Sequence, residues 1–359
     1  MDFSQKIINW YKKNHRKLPW RKTKNPYYIL VSEFMLQQTK VSKTIKYYLN
    51  FIKKFPNLEK LAQEKEKNVL KEWEGLGYYF RAKNLHSFAK KLKKQNNIFP
   101  KKYKELIKYK GIGPYTAAAI ASICFNEVVP AIDVNAYRVF SRYLGIYDDI
   151  TSTKTKKMFK IIILKMMKCK YPGFFNQAIM DLGSILCTIK NTKCLLCPVK
   201  NSCFSIKNNT VYKLPVKKIK KYILKKRFFY YIFMYDHNKN ICLNKRSHKD
   251  IWKGLYDFPL IESKKNLTIH EIKNKIWKTF KIVSSNPIMI IYKIKHKITH
   301  QILFIQFLNF RILLDFKKNI FLKNFFFIHY NEIEKFPFPS PIILFLQNVK
   351  NNLFINFNF

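Results

Sequence analysis

The sequence predicts a mainly α N-terminal region followed by an α+β C-terminal domain. Three observations carry that expectation. From Phe3 to about Cys203 apolar residues recur at three- and four-residue spacing. Beyond Arg227, runs rich in Phe, Tyr and Ile alternate with short helical stretches. Between the two lies a polar, basic segment with Pro215 inside it. At 359 residues, 48% of them apolar, the chain can build two domains with cores of their own.

In chain order, "FSQKIINWYKK", "NLEKLAQEKEKNVLKEW" and "AKNLHSFAKKLKK" show the helical period. Pro19, Pro26, Pro56, Pro100, Pro114, Pro130 and Pro172 punctuate these segments, and "PNLEKLA" and "PKKYKELIKY" read as helix starts. A helix is expected to end at Lys110, with a G-x-G turn and a new helix from Pro114. Residues 206–226 read as a linker. After it, "FFYYIFMYD", "NICLNKR", "NPIMIIYKI" and "ITHQILFIQFLNF" read as strands, and "LTIHEIKNKIWKTF" and "PSPIILFLQNVKNNL" as helices. The expected divisions are 1–205, the linker 206–226, and 227–359.

Composition narrows the function classes. Lys plus Arg is 69 against 21 Asp plus Glu, a net charge of +48 that suits a polyanion, nucleic acid above all. The chain is also rich in Lys, Asn, Ile, Phe and Tyr, all residues of A/T-rich codons, so the charge alone does not decide the partner. The N-terminus has no signal-peptide pattern, and no apolar run approaches the roughly 18 residues of a membrane span. A cytoplasmic, nucleoid-associated monomer with no membrane contact is expected. Seven cysteines, an odd number, argue against a secreted disulfide scaffold.

Four of those cysteines, Cys187, Cys194, Cys197 and Cys203, have the spacing C-x6-C-x2-C-x5-C. Thiolates so placed can enclose an iron–sulfur cluster or zinc. Only Cys194 and Cys197 form the close pair usual in zinc sites, which favours one compact cluster, with zinc as the alternative. The loop between the first two cysteines carries Lys190 and Lys193, where phosphates can meet them, although two lysines in six residues also match the background of this chain.

In "KGIGPYT", Gly111 and Gly113 precede a helix start, a turn that presents backbone N–H groups to a phosphate. An ordinary helical turn explains the same residues. Asp133 heads another helical run in "AIDVNAYRVF"; it is either an N-cap or a carboxylate facing developing positive charge on a sugar. Glu33 sits among Ile29, Leu30, Val31, Phe34, Met35 and Leu36, surroundings that raise a carboxyl pKa as a general acid requires. Gln37 and Gln38 follow, suited to wedging into a base stack. Leu76, Tyr78 and Tyr79 lie by glycines with Arg81 and Lys83 behind, an apolar tip backed by cations that suits insertion into a duplex. Structural aromatics account for the tyrosines equally well.

Together, "LPWR", "SEFMLQQTKV", "EGLGYYFRAKNLH", "KGIGPYT", "FNQAIMDLGSILC" and "WKGLYDFP" resemble, in order, segments of the adenine DNA glycosylase (MutY) family. That family lies in the iron–sulfur branch of the helix–hairpin–helix DNA glycosylase superfamily. The resemblance implies a glycosylase fold of two helical lobes, a six-helix lobe at about 22–130 and a cluster lobe of 1–21 plus 131–205, and a Nudix-like C-terminal domain. It implies one [4Fe-4S] cluster on the four cysteines, and double-stranded DNA containing an adenine mispair as partner. The implied activity is hydrolysis of the N-glycosidic bond of adenine opposite 8-oxoguanine or guanine. Glu33 and Asp133 are the implied catalytic carboxyls, with Tyr115 assisting. Trp20, Arg21 and Gln177 would line the base pocket. Gln38, Leu76, Tyr78, Gly111, Gly113, Asn135, Lys190 and Lys193 would meet DNA.

This chain departs from the family at several places. Where endonuclease III-type enzymes place a nucleophilic lysine, this chain has Tyr115, which implies a monofunctional enzyme. A bifunctional glycosylase/lyase, or a duplex-binding protein whose catalysis has decayed, are the alternatives. Val134 stands where the family has glycine after the aspartate. The lesion-sensing segment reads "HKITH", with Thr299 and His300 as its sensing residues. The Glu-rich Nudix box is missing, so the C-terminal domain should recognise rather than hydrolyse.

Overall fold

The structure is a computed structural model that describes residues 2–167, 170–218, 224–247, 250–282, 287–312 and 325–356. The chain forms two compact units, Met1–Gln63 with Asn84–Lys220, and Glu64–Lys83 with Lys221–Phe359.

The helices are α1 (Phe3–Asn14), α2 (Pro26–Leu36), α3 (Val41–Lys54), α4 (Leu58–Gln63), α5 (Glu66–Glu72), α6 (Phe80–Lys94), α7 (Tyr103–Leu106), α8 (Pro114–Phe125), α9 (Val134–Leu144), α10 (Thr153–Met166), α11 (Pro172–Ile185), α12 (Phe204–Lys207), α13 (Ile269–Phe280) and α14 (Ser340–Asn356). In the first unit α2 and α8 are apolar on nearly every side and are buried over most of their length, Ile29–Met35 and Thr116–Ser122, as such helices must be. Phe3, Ile7, Ile8 and Tyr11 of α1 share one core with Val139 and Phe140 of α9, Phe159 and Ile163 of α10, and Phe175, Ile179 and Leu182 of α11.

The helix expected to run to Lys110 ends at Leu106. The chain beyond it closes successive three-residue turns, Lys108 N–H to Glu105 O, Tyr109 N–H to Leu106 O and Ile112 N–H to Tyr109 O. Gly111 then takes φ +90°, and a Cβ there would lie 2.7 Å from the Asn84 Cβ. A side chain is excluded at this position on both counts. Gly113 caps α8, and a Cβ there would meet nothing within 4 Å.

Residues 206–218 of the expected linker belong to the first unit. Val216 O accepts the Ile150 N–H at 3.1 Å, and Leu214 O accepts Arg142 Nε at 2.9 Å. Residues 219–223 of that stretch lie outside the described residues.

The second unit holds a seven-stranded mixed sheet: β1 (Lys225–Tyr235), β2 (Asn240–Lys245), β3 (Tyr256–Asp257), β4 (Leu260–Ser263), β5 (Ile290–Ile298), β6 (Gln301–Arg311) and β7 (Phe325–His329). The order is β3-β2-β1-β6-β5, with β4 paired to β1 and β7 to β2. β1 and β6 run parallel, from Lys225 opposite Gln301 to Tyr235 opposite Arg311. The run "FFYYIFMY" shows no polar alternation because β1 is covered on both faces. Phe229, Tyr231 and Phe233 share a core with Ile342 and Phe345 of α14, and Tyr230, Ile232 and Met234 share one with Ile272 and Ile276 of α13.

Residues 64–83, expected inside the six-helix lobe, group with this second unit. Glu74 Oε1 accepts the Phe338 N–H at 2.8 Å, Tyr79 Oη donates to Phe338 O at 3.2 Å, and Lys71 Nζ donates to Phe336 O at 3.2 Å. These partners lie more than 250 residues away in sequence, beyond the reach of any local pattern.

Gly111→Ala is expected to lose about 1–3 kcal/mol through the left-handed backbone and the Asn84 contact. Chemical denaturation at constant m-value measures it; an unchanged midpoint contradicts the geometry.

Candidate active site

α2 starts cleanly because Asn25 Oδ1 accepts the Tyr27 N–H at 2.9 Å and Pro26 occupies the first turn. Its regular winding puts Glu33 inward, 6% exposed. Glu33 lines a cavity of about 630 Å³ in the first unit. The same cavity brings together Asp133, Tyr115, Trp20, Arg21, Gln177, Gln38 and Asn135 from the sequence expectation. The segments that supply them span more than 150 residues.

Burial pushes the Glu33 carboxyl up to about 7, helped by the charge of Asp133 and opposed by a hydrogen bond from Tyr115 and by Arg21. Its Oε2 is buried with no hydrogen-bond partner among the described residues. A buried ionised oxygen in that state is costly, so the group keeps its proton up to about pH 7. Tyr115 is pushed well above the ordinary phenol range by burial and by both carboxylates. Its hydroxyl also reaches Met180 Sδ at 3.4 Å.

Asp133 is an N-cap, as one of the two sequence readings has it, and it also lines the cavity. Oδ1 accepts the Ala136 N–H at 2.7 Å and Oδ2 accepts Asn135 Nδ2 at 2.7 Å. Burial raises its pKa, while those bonds and Arg138 act downward. Of the two carboxyls, Glu33 therefore has the poorer support for a negative charge. Asn135 is committed through its side chain to Asp133 and to Arg138, whose Nη2 donates to Asn135 Oδ1 at 2.8 Å. Arg138 also donates to Cys187 O and Gly183 O, both at 2.7 Å. A Cβ on Gly183 would lie 2.6 Å from the Asn135 Cβ, which accounts for glycine there.

Trp20 is buried and edge-on to Tyr48 at 5.2 Å. Gln177 Oε1 accepts the Tyr11 hydroxyl at 2.7 Å. Arg21 lies over the Tyr11 ring at 5.4 Å and pairs with Asp181. Tyr11, Arg16, Asp181 and Met180 belong to the site and were not singled out from the sequence. "HRKLPWR" and "MDLG" contained the charges, but their pairing spans more than 150 residues.

Gln38 is exposed and held at φ 57°, and Tyr78 is 40% exposed at φ 48°. Leu76, expected at an exposed tip, is only 5% exposed. The buried Arg81 sits behind it, Nη2 donating to Gly77 O at 2.8 Å. Lys190 and Lys193 are exposed. In the second unit Thr299 and His300 form the two-residue turn between β5 and β6, and the Tyr78 and Thr299 hydroxyls lie 3.3 Å apart. The Tyr78 segment and the "HKITH" segment thus meet within one unit.

Cys187, Cys194, Cys197 and Cys203 ring a small pocket beside Arg142, whose Nη1 donates to Cys187 Sγ at 3.4 Å. Burial pushes the Cys197 thiol up to about 11. Among the described residues no three His, Cys, Asp or Glu side chains are gathered closely enough to hold a metal ion. No described helix is long and apolar enough to cross a membrane.

The first unit thus carries the GIG turn before α8 and, lining one cavity, the buried Glu33 and the N-capping Asp133. Residues 31–163 match the HhH-GPD superfamily of base excision DNA repair proteins, and residues 230–348 match the NUDIX domain. A solved thermostable thymine-DNA glycosylase is 25% identical, with a TM-score of 0.53 over 57% of this chain and 95% of its own. The adenine DNA glycosylase of Buchnera aphidicola subsp. Baizongia pistaciae is 37% identical over 97% of both chains. That of Buchnera aphidicola subsp. Acyrthosiphon pisum is 36% identical over 98% of this chain and 99% of its own. The chain belongs to the adenine DNA glycosylase family.

The raised Glu33 pKa makes a stability prediction independent of catalysis. Below about pH 4.5 the group is protonated folded and unfolded, and contributes nothing. Between there and about 7 only the unfolded chain ionises, so stability falls as pH rises, and above 7 the loss is complete. Glu33→Gln removes this loss and should stabilise the protein by about 2–3 kcal/mol at pH 8 and by far less at pH 5. Urea unfolding of both proteins across that range measures the difference; a gap that does not widen with pH refutes the buried acid.

Proposed function

We propose that the chain removes adenine opposite 8-oxoguanine or guanine in double-stranded DNA by hydrolysing its N-glycosidic bond. The observation that carries this reading is the buried Oε2 of Glu33, without a hydrogen-bond partner among the described residues, in a cavity of about 630 Å³ that Asp133 also lines. A protonated oxygen without an acceptor is poised to donate to whatever base enters.

Adenine would flip from the stack at a cost of a few kcal/mol. Gln38, Tyr78 and Leu76 would fill or brace the gap, and Trp20, Arg21 and Gln177 would surround the base. Glu33 would deliver its proton to N7. The C1′–N9 bond would then break with its electron pair leaving on adenine. The Asp133 carboxylate would stabilise the cation at C1′, and a water oxygen would close the reaction there, its proton passing to a carboxylate. Tyr115, kept a neutral phenol by burial, supplies a hydrogen bond and no amine. Among the described residues, Lys40 at the rim is the one lysine lining the cavity, and it is exposed. The reading is therefore monofunctional.

The GIG turn, with Lys190 and Lys193, would hold the phosphate backbone. Thr299 and His300, with Tyr78 beside them, would sense the opposite base. Cys187, Cys194, Cys197 and Cys203 would hold a [4Fe-4S] cluster that braces the lysine loop. The support for this is the C-x6-C-x2-C-x5-C spacing, with all four cysteines lining one pocket. The chain would act in the cytoplasm as a monomer.

Single-turnover incubation with an 8-oxoguanine:adenine duplex, followed by hot alkali, tests the reading. The wild type should yield strand breaks at the adenine, and Glu33→Gln should bind the duplex yet lose at least about 10²-fold in rate. A wild type that binds and never releases adenine points to a decayed binder instead. Without alkali little cleavage is expected, and borohydride should trap little protein on abasic DNA; efficient trapping restores the lyase reading.

A further inference from the structure

We propose that Asp181 is a positioning residue that ties up the Arg16 and Arg21 guanidinium groups on one wall of the cavity and thereby keeps Arg21 from pairing with Glu33. The proposal rests on the reading of Glu33 as the proton donor.

Asp181 lies on α11, with its carboxylate fully buried. Its Oδ1 accepts Arg16 Nε at 2.7 Å and Arg21 Nη2 at 2.8 Å. Its Oδ2 accepts the Arg16 backbone N–H at 3.0 Å and Arg21 Nη1. Burial alone would raise its pKa, but the two arginines outweigh that and hold it below the usual range, so it stays an anion. Such a two-pronged, buried pairing fixes the planar guanidinium in place. The Arg21 side chain is 7% exposed and stacks over Tyr11, so it has little freedom to find water instead.

Both arginines and Glu33 line the same cavity. The groups facing Glu33 are Tyr115 and Cys124 from α8, Asp133 from the cap of α9, and Arg21 from the turn that follows α1. Arg21 is the cation in that set. An uncompensated guanidinium beside a carboxyl with one open oxygen would draw off its proton and form an ion pair. The acid would then be lost before any base arrived. Asp181 prevents this by offering the better-placed anion.

The test is the pH dependence of single-turnover adenine release by the full chain on an 8-oxoguanine:adenine duplex. In Asp181→Asn the alkaline limb should move at least about one pH unit to lower pH, with a rate loss of about tenfold or more at pH 8 and duplex affinity within about threefold of wild type. Asp181→Glu should bring the limb part of the way back. Adding Arg21→Gln to Asp181→Asn should return it toward the wild-type position. Should Asp181→Asn fail to fold, Arg21→Gln alone serves, and its limb should move to higher pH because a cation has gone. An unmoved limb in folded Asp181→Asn, or in Arg21→Gln, overturns the proposal. A wild type that releases no adenine overturns the donor reading itself, which is a separate result.

Discussion

Everything in this molecule that bears on chemistry follows from burying two carboxyls at one cavity. Removing a carboxylate from water is expensive, and the cost must be met by protonation or by hydrogen bonds. The fold gives the two groups opposite answers. Glu33 projects from a helix where its neighbours are Leu30, Val31, Phe34 and Met35, and one of its oxygens finds no donor among the described residues. Asp133 occupies a helix N-cap, where a backbone N–H and the Asn135 amide supply donors. The same burial thus favours a neutral acid at one position and supports a charge at the other. Two carboxyls in the same surroundings would compete for one proton; two in different surroundings can differ in protonation state at the same pH.

Maintaining that difference needs rigid support, because a small shift of either group would restore contact with water or with a cation. On one side Arg138 links Asn135 to the carbonyls of Gly183 and Cys187, so the Asp133 cap is fixed to α11 and to the start of the cysteine loop. On the other side Asp181 gathers the arginines, and Tyr11 holds the Gln177 amide. Both supports converge on α11, which also packs on α1 and α9 in the shared core. Through Gln177, Asp181 and Gly183 that helix holds Tyr11, Arg16, Arg21 and Arg138.

The candidate site residues were legible in the sequence where physics is local. An acid in an apolar helix, an Asp at a helix start, two glycines before a proline and four clustered cysteines each announce themselves within a few residues. What was not legible depends on distance along the chain. Asp181 reads as one acid in "MDLG" until folding brings it against Arg16 and Arg21 from the N-terminus. Residues 64–83 have a helical pattern and give no sign that Glu74 and Tyr79 bond to Phe338. Leu76 looked like part of an exposed tip because glycines flank it, but the chain turns it inward and leaves Tyr78 out. The strands of the second unit were visible as apolar runs, but the parallel pairing of β1 with β6 is a matter of topology.

The composition poses a problem that the site has to solve. A chain with 69 Lys and Arg against 21 Asp and Glu sits in its own positive field, and such a field ionises carboxyls. A general acid must stay protonated in spite of it. Most of the lysines are in water, where ions screen them beyond about 8 Å. Only a cation inside the cavity would act on Glu33 at close range and little screened. The buried guanidinium there is Arg21, already matched by a buried carboxylate, and the lysine at the rim, Lys40, is exposed. Surface charge can therefore drift with codon usage and still help hold DNA. The acid is insulated from that drift by burial and by one well-placed anion.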